Sequence, residues 1–383
     1  MMNKPQKTIL FTIWLILMVW GLIGVFQRMT TGELTLNYGS YIPWGLWVAG
    51  KVCFVGLAVG SSLLAWSIYA FNIRPLKPLA RISLLISIAT MIAGLLVILF
   101  DLGHMWRLYE VYTRPNFSSL LAIASWLSLI YLIYLMIVLR IDLKSGRQIG
   151  DVPRVWGWIG IFIAITFSGA NGAEFATMVS SPYWHSSIGP VLSIGGALLS
   201  GIALVLAVSA LSATDGGIDE QIIKILSRIV IGLILFVLVL EWSEYSVAMW
   251  YGRGEDYASM SSILFGHYWY VFWIVHLAIG SILPLFLLLW QPAQRLVAGF
   301  SGALVATTYM AVRLNHVIPG QVTPTMRGLQ EAYTDKWLTF EYFPSPTEWA
   351  IFAFSVAVCI ALFWLGSRIL PVGSLKSIDE GGQ

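Results

Sequence analysis

The chain has 383 residues, of which 58% are hydrophobic and only 11% charged, against about 25% charged in soluble domains. So little charge excludes a water-soluble globular surface and makes lipid the main solvent. A net charge of +3 without a basic run excludes nucleic acid as a partner.

The first apolar segment, 8–28, follows Lys4 and Lys7. It is too long for a signal-peptide core, lacks a small-residue cleavage site, and reads as a retained span. Nine further segments can cross a ~30 Å hydrocarbon layer: 45–72, 79–101, 117–140, 155–178, 187–212, 222–250, 263–290, 294–317 and 347–370. Arg114-Pro115-Asn116-Phe117 breaks the chain before the fourth. Ser345-Pro346-Thr347-Glu348 opens the last with a capping box and Pro at the first helical position. Strand alternation is absent, which excludes an outer-membrane barrel. The expected fold is an all-α integral membrane domain of about ten transmembrane helices over residues 1–383. Its 35 glycines suit close helix packing.

Loops and span ends on the N-terminal side of the membrane hold fourteen Lys and Arg, the opposite side seven, and Lys51 lies within a span. The positive-inside rule then places both termini in the cytoplasm of a bacterial or archaeal inner membrane. The outer connections 29–44, 102–116 and 318–346 are long and aromatic. Part of this is an interfacial belt, but 318–346 exceeds what a connector needs and suggests a docking surface.

Ionisable groups inside spans are costly and point to function by default. Here they are Lys51, Asp101, Glu174, Glu241, Glu244, His267, His276, Arg313 and His316, all in outer halves or at outer ends. Asp101, His104 and Arg107 share one face if the third helix continues. They can bind a quinone carbonyl and exchange its proton, or simply staple a helix end. Lys51 and Glu174 can pair across spans two and five. Glu241 and Glu244 share a face, either as proton carriers or as neutralising partners of Arg313.

Cys53 and Cys359 sit in apolar stretches without a Cys-x-x-Cys, so the chain offers no iron–sulfur, structural zinc or c-type haem site and reads as binding no metal. A b-type haem needs facing histidines. Of His104, His185, His267, His276 and His316, only His267 with His316 is geometrically conceivable, and no haem is expected.

Pro43-Trp44-Gly45-Leu46-Trp47 with Gly56-Leu57-Ala58-Val59-Gly60, then Asp101-Leu102-Gly103-His104 with Pro115-Asn116-Phe117, resemble the NrfD-like, or polysulfide reductase membrane-subunit, family. Arg313-Leu314-Asn315 with Gly320-Gln321, and Tyr342-Phe343-Pro344-Ser345 with Glu348, continue the resemblance in the same order. The ten-span length is also similar to the membrane subunits of hydrogenase-2 and of sulfate-reducer complexes. The resemblance implies two four-helix bundles, spans 2–5 (45–178) and 6–9 (187–317), with spans one and ten outside. It implies a quinone site near the outer face of the first bundle, menaquinone before ubiquinone, with an iron–sulfur subunit docked above it. Carried onto matching positions, Asp101 and His104 become the quinone-site residues. Lys51, Arg107, Asn171 and Glu174 are nearby additions from the residues themselves, with Trp44, and Glu241, Glu244, His276 and Arg313 are the candidates for a proton path. The chain departs from the pattern at Asn171, where some relatives have His, and at His276, where Glu is usual.

The expected function is the quinone-interacting subunit of a respiratory oxidoreductase complex. It would exchange electrons with a ferredoxin-like iron–sulfur partner on the outer face, with further catalytic or multihaem cytochrome subunits beyond. An ion or proton transporter would place polar sites at the midplane, open to both faces. A passive anchor would not need ten spans.

Overall fold

A computed structural model describes residues 4–144, 151–178, 181, 183–211, 219–324, 328–332, 335 and 337–370. Arg147, Arg327, Lys336 and Lys376, which contribute to the charge asymmetry, lie outside them. Ten helices are long and apolar enough to cross a membrane: α1 (Lys4–Thr31), α2 (Leu46–Phe71), α3 (Leu79–Asp101), α4 (Leu120–Lys144), α5 (Arg154–Ala176), α6 (Gly189–Leu211), α7 (Glu220–Tyr251), α8 (Val271–Trp290), α9 (Arg295–Val317) and α10 (Pro346–Ile369). The only β pairing among the described residues is the isolated bridge Asp335–Leu338.

Helix α2 is the hub. In its most apolar window 94% of residues are buried, against 11% for α1. It packs on α3 and α5, while α4 closes the group against α3 and α5. Helix α6 packs on α9, α7 and α5, and also directly on α2. Helices α1 and α10 pack on each other, with α10 also on α3. The α2–α6 contact is a near meeting of backbones: a methyl on Gly60 would overlap the Ala197 carbonyl, and one on Gly201 would overlap Ser61 N. Ser61 Oγ bonds the Gly201 carbonyl across this seam at 3.1 Å. Small residues allow such approach, and in lipid the resulting dispersion contact carries the association. Gly201→Ala is expected to cost about 1–3 kcal/mol, read as a lower melting temperature in detergent. Gly169→Ala, whose methyl meets open space, should melt with the wild type.

Helix α8 begins as twelve residues of π-helix, Val271–Ile282, before turning α-helical at Leu283. Pro284 has no N–H to return to Gly280, and Ser281 Oγ instead reaches back five residues to the His276 carbonyl at 3.1 Å. The wider coil re-aims His276. Before α8, residues 265–268 form a turn after a short helix, Glu255–Leu264. His267 is therefore exposed in a turn rather than carried on the spanning helix.

The described parts of connections 31–45, 102–119, 177–188, 251–270 and 318–345 share one end of the molecule, the loop-rich end. Two of them fuse. Ser40 N bonds the Trp337 carbonyl at 3.1 Å, and Asn37 Nδ2 bonds the Phe343 carbonyl at 2.9 Å. Tyr41 stacks on Phe340 at 4.6 Å. The capping box at Ser345 and Glu348 is present as its sequence implies.

Candidate functional site

Three polar clusters occupy the loop-rich end of the membrane region. The first surrounds the end of α3. The helix stops at Asp101, because Leu102 turns extended and His104 leaves helical geometry (φ −119°, ψ 77°). The expected Asp101–His104–Arg107 face therefore does not form. His104 and Arg107 are exposed at the surface, whereas Asp101 Oδ1 is buried. Arg28 causes this ending. Only 3% exposed, it donates from Nε to the Phe100 carbonyl (3.0 Å) and from Nη2 to the Leu102 carbonyl (3.1 Å). A cation there offsets the helix dipole and satisfies terminal carbonyls.

Beside it, Glu348 is fully buried and accepts from Asn37 N (2.9 Å), Ser345 N (3.2 Å) and the Tyr342 hydroxyl. Tyr342 in turn accepts from Leu46 N at 2.7 Å. Burial, then the Glu348 charge, push the Tyr342 phenol far above its ordinary range, so it remains a donor. Tyr38 is raised likewise, by burial first and the Asp101 charge next. Three buried polar atoms in this region have no hydrogen-bond partner: Asp101 Oδ1, Tyr38 Oη and Thr35 Oγ1. An unmet buried polar group costs ~1–3 kcal/mol.

The second cluster joins α2 to α5 as expected. Lys51 Nζ donates to Glu174 Oε2 (3.1 Å) and to Asn171 Oδ1 (2.7 Å), and Asn171 Nδ2 donates to the Phe167 carbonyl (2.9 Å). Trp44 seals this side. Its backbone is held both ways by Gln321, at 3.0 and 2.8 Å, and its ring packs on Phe175 and Trp184.

The third cluster lines a cavity of ≈ 60 Å³ bounded by Asn171, Glu241, Glu244, His276, Arg313 and His316, among others. That is room for a few waters. His276 Nε2 lies 2.9 Å from Glu241 Oε2. Arg313 is not neutralised by Glu241 or Glu244, correcting the pairing considered from sequence. Its guanidinium stacks 5.0 Å from the Tyr309 ring centre, no carboxylate among the described residues lies within 4 Å, and Nε has no partner. Asn171 belongs to both the second cluster and this one, since it accepts from Lys51 and also lines the cavity in which His276 and Glu241 meet.

Sequence reasoning missed several members. Arg28, Tyr38 and Tyr342 sit at span ends or in loops, where hydropathy assigns them to the interface. Glu348 was legible only as a cap. At the opposite end of the membrane region, Arg81 pairs with Asp142 at 2.5 Å, with side chains 8% and 0% exposed. This pair breaks the one-sided distribution expected of buried charge. Asp142 lies just past the apolar run of its helix, which hid it.

These features define a multi-pass helical membrane protein with buried titratable groups concentrated at its loop-rich end and one buried ion pair at the other. Residues 35–325 match the family described as polysulphide reductase, NrfD, and the chain belongs to that family. It is 28% identical to a selenate reductase subunit of Mesobacillus selenatarsenatis, covering 96% of this chain and 94% of that one. It is 25% identical to an Hdr-like menaquinol oxidoreductase integral membrane subunit of Archaeoglobus fulgidus, over 94% and 92%. A shorter match, 33% over 26% of this chain and 28% of the relative, is to a probable Ni/Fe-hydrogenase 2 b-type cytochrome subunit of Escherichia coli.

Proposed function

We propose that the chain oxidises or reduces a membrane quinone at the Asp101 cluster and passes the electrons to or from an iron–sulfur cluster of a partner subunit. The unpartnered pair of Asp101 Oδ1 and Tyr38 Oη, buried beside the loop-rich surface, carries this reading. The relative named a menaquinol oxidoreductase subunit supports it and favours menaquinone. In the oxidative direction a quinol yields two electrons and two protons. Asp101 takes the two hydroxyl protons in turn, releasing the first before it accepts the second, Tyr38 donates a hydrogen bond to the ring oxygen as it is deprotonated, and the two electrons pass to the partner's iron–sulfur cluster. Glu33, half-exposed beside Arg28, offers a surface group for proton exit.

The loop-rich end faces outward in this reading, with both termini cytoplasmic. The partner docks on the fused 31–45 and 318–345 surface, where Phe343 is exposed, and on the 102–119 connection, where Trp106 and Tyr109 are exposed. The test uses the complex purified with its natural partners in mild detergent. Added quinol should reduce partner iron–sulfur clusters, seen by electron paramagnetic resonance, and crosslinks should fall on these connections. A complex without such clusters, or clusters unresponsive to quinol, would overturn the proposal.

Haem does not fit these residues. His276 and His316 line one cavity, but it holds ≈ 60 Å³ and His276 Nε2 is engaged by Glu241. His316 is packed between the rings of Phe175 and Tyr183. The isolated subunit is accordingly expected to show no Soret absorption. One haem per chain in its visible spectrum would contradict this.

A further inference from the structure

A second space opens between α8 and α9 at the loop-rich end. It is an almost wholly apolar slot of ≈ 300 Å³ lined by Tyr268, Val271, Thr308, Ala311, Ile318 and Trp349, among others. Phe343 and Tyr270 stand exposed at its rim, and Thr307 lies on the same outward side. Thr307, inside the α9 span, turns that side of the rim toward hydrocarbon. The slot matches the lower end of small-molecule pockets, roughly 300–1,000 Å³, which are typically apolar with one or two directed polar groups.

The directed group is Asn315. Among the described residues it alone lines both this slot and the polar cavity of His276, Glu241 and Arg313. It is 4% exposed, and its Nδ2 has no hydrogen-bond partner. Its backbone is held still, because the Tyr183 hydroxyl donates to the Asn315 carbonyl at 2.7 Å. A fixed amide donor without an acceptor stands between a hydrocarbon-lined slot and a titratable pair.

We propose that this slot is a second quinone-binding site, distinct from the one at Asp101 although Tyr342 of that cluster also lines it. The isoprenoid chain lies along the apolar walls, and one ring carbonyl accepts from Asn315 Nδ2. The occupant must combine a hydrocarbon chain with a carbonyl acceptor, and the quinone of the proposed function has both. The inference rests on that reading but is independent of where in the first group of helices the other site lies. A ring seated there adjoins, across Asn315, the cavity in which His276 and Glu241 meet.

The experiment places the intact complex in liposomes with a photoreactive azidoquinone carrying an isoprenoid tail, and maps the labelled peptides. Labelling is expected within 268–275 and 307–315. It should fall at least tenfold there in Asn315→Leu, which removes the donor, while labelling near Asp101 persists. Thr307→Trp, an addition at the exposed rim that leaves the interior untouched, should obstruct the slot with the same result. Labelling confined to 35–51 and 97–108 would overturn the second site and leave the proposed function intact. So would native mass spectrometry showing a phospholipid that excess quinone does not displace from the slot. Absence of label from both regions, in a complex that quinol cannot reduce, would instead defeat the proposed function itself.

Discussion

Asp101→Asn is expected to lower quinol-linked turnover by roughly 10²-fold or more, the usual contribution of a positioned acid–base group, while the complex still assembles. Asparagine keeps the shape of the side chain and removes proton exchange. It also replaces a buried carboxylate oxygen that has no partner with a neutral amide, and a neutral group is less costly to bury. The variant should therefore melt no lower than the wild type. This separates a proton-handling role from a structural one, since a staple at the end of α3 would lose stability when its charge was removed. Arg28, which closes that helix end, bonds main-chain carbonyls of Phe100 and Leu102 rather than the Asp101 side chain. Turnover near the wild-type rate in assembled Asp101→Asn complex would remove Asp101 from the mechanism.

The largest stability effect is expected at the opposite end. Arg81 donates from Nε to Asp142 Oδ2 and from Nη2 to the Asp142 carbonyl, and Asp142 is fully buried. Replacing one member of a buried ion pair leaves an uncompensated charge, at a cost of about 3–5 kcal/mol, whereas replacing both by apolar residues is often nearly neutral. Arg81→Met should thus melt far below the wild type. Asp142→Leu should fall less, because a long Arg side chain near the start of α3 can extend to the interface. The double variant should recover most of the loss. Equal melting temperatures for Arg81→Met and wild type would show the pair to be inconsequential. Because this pair is satisfied internally, it supplies no free group to a proton route from that side.

The sequence exposed features that depend on position along one helix. Hydropathy and length identified ten spans, since a hydrocarbon layer demands about twenty apolar residues whatever their neighbours. The capping box at Ser345 was legible because its partners lie three residues apart. Lys51 and Glu174 were paired correctly because their depths below the same membrane face matched. The Asp101–His104–Arg107 face failed for the complementary reason. Its spacing presupposes a continuing helix, and α3 ends where Arg28, 73 residues earlier, reaches its carbonyls. Glu241 meets His276 rather than Arg313 because the π-helical start of α8 sets the rotation of His276. No pattern within α7 or α9 encodes that rotation.

The fused loops show the same division. Aromatic content marked 29–44 and 318–346 as a surface, but their joining through Asn37, Ser40, Trp337 and Phe343 is a contact between segments some 300 residues apart. By itself the sequence determined the solvent, the number of spans and the family. Those follow from transfer free energies and local periodicity, which each residue contributes independently. Only the tertiary structure decided which buried charges are paired and which polar atoms are left open. Hydrogen bonding depends on atoms meeting within about 3 Å, and helix packing, rotation and termination fix that distance only once the whole chain is assembled.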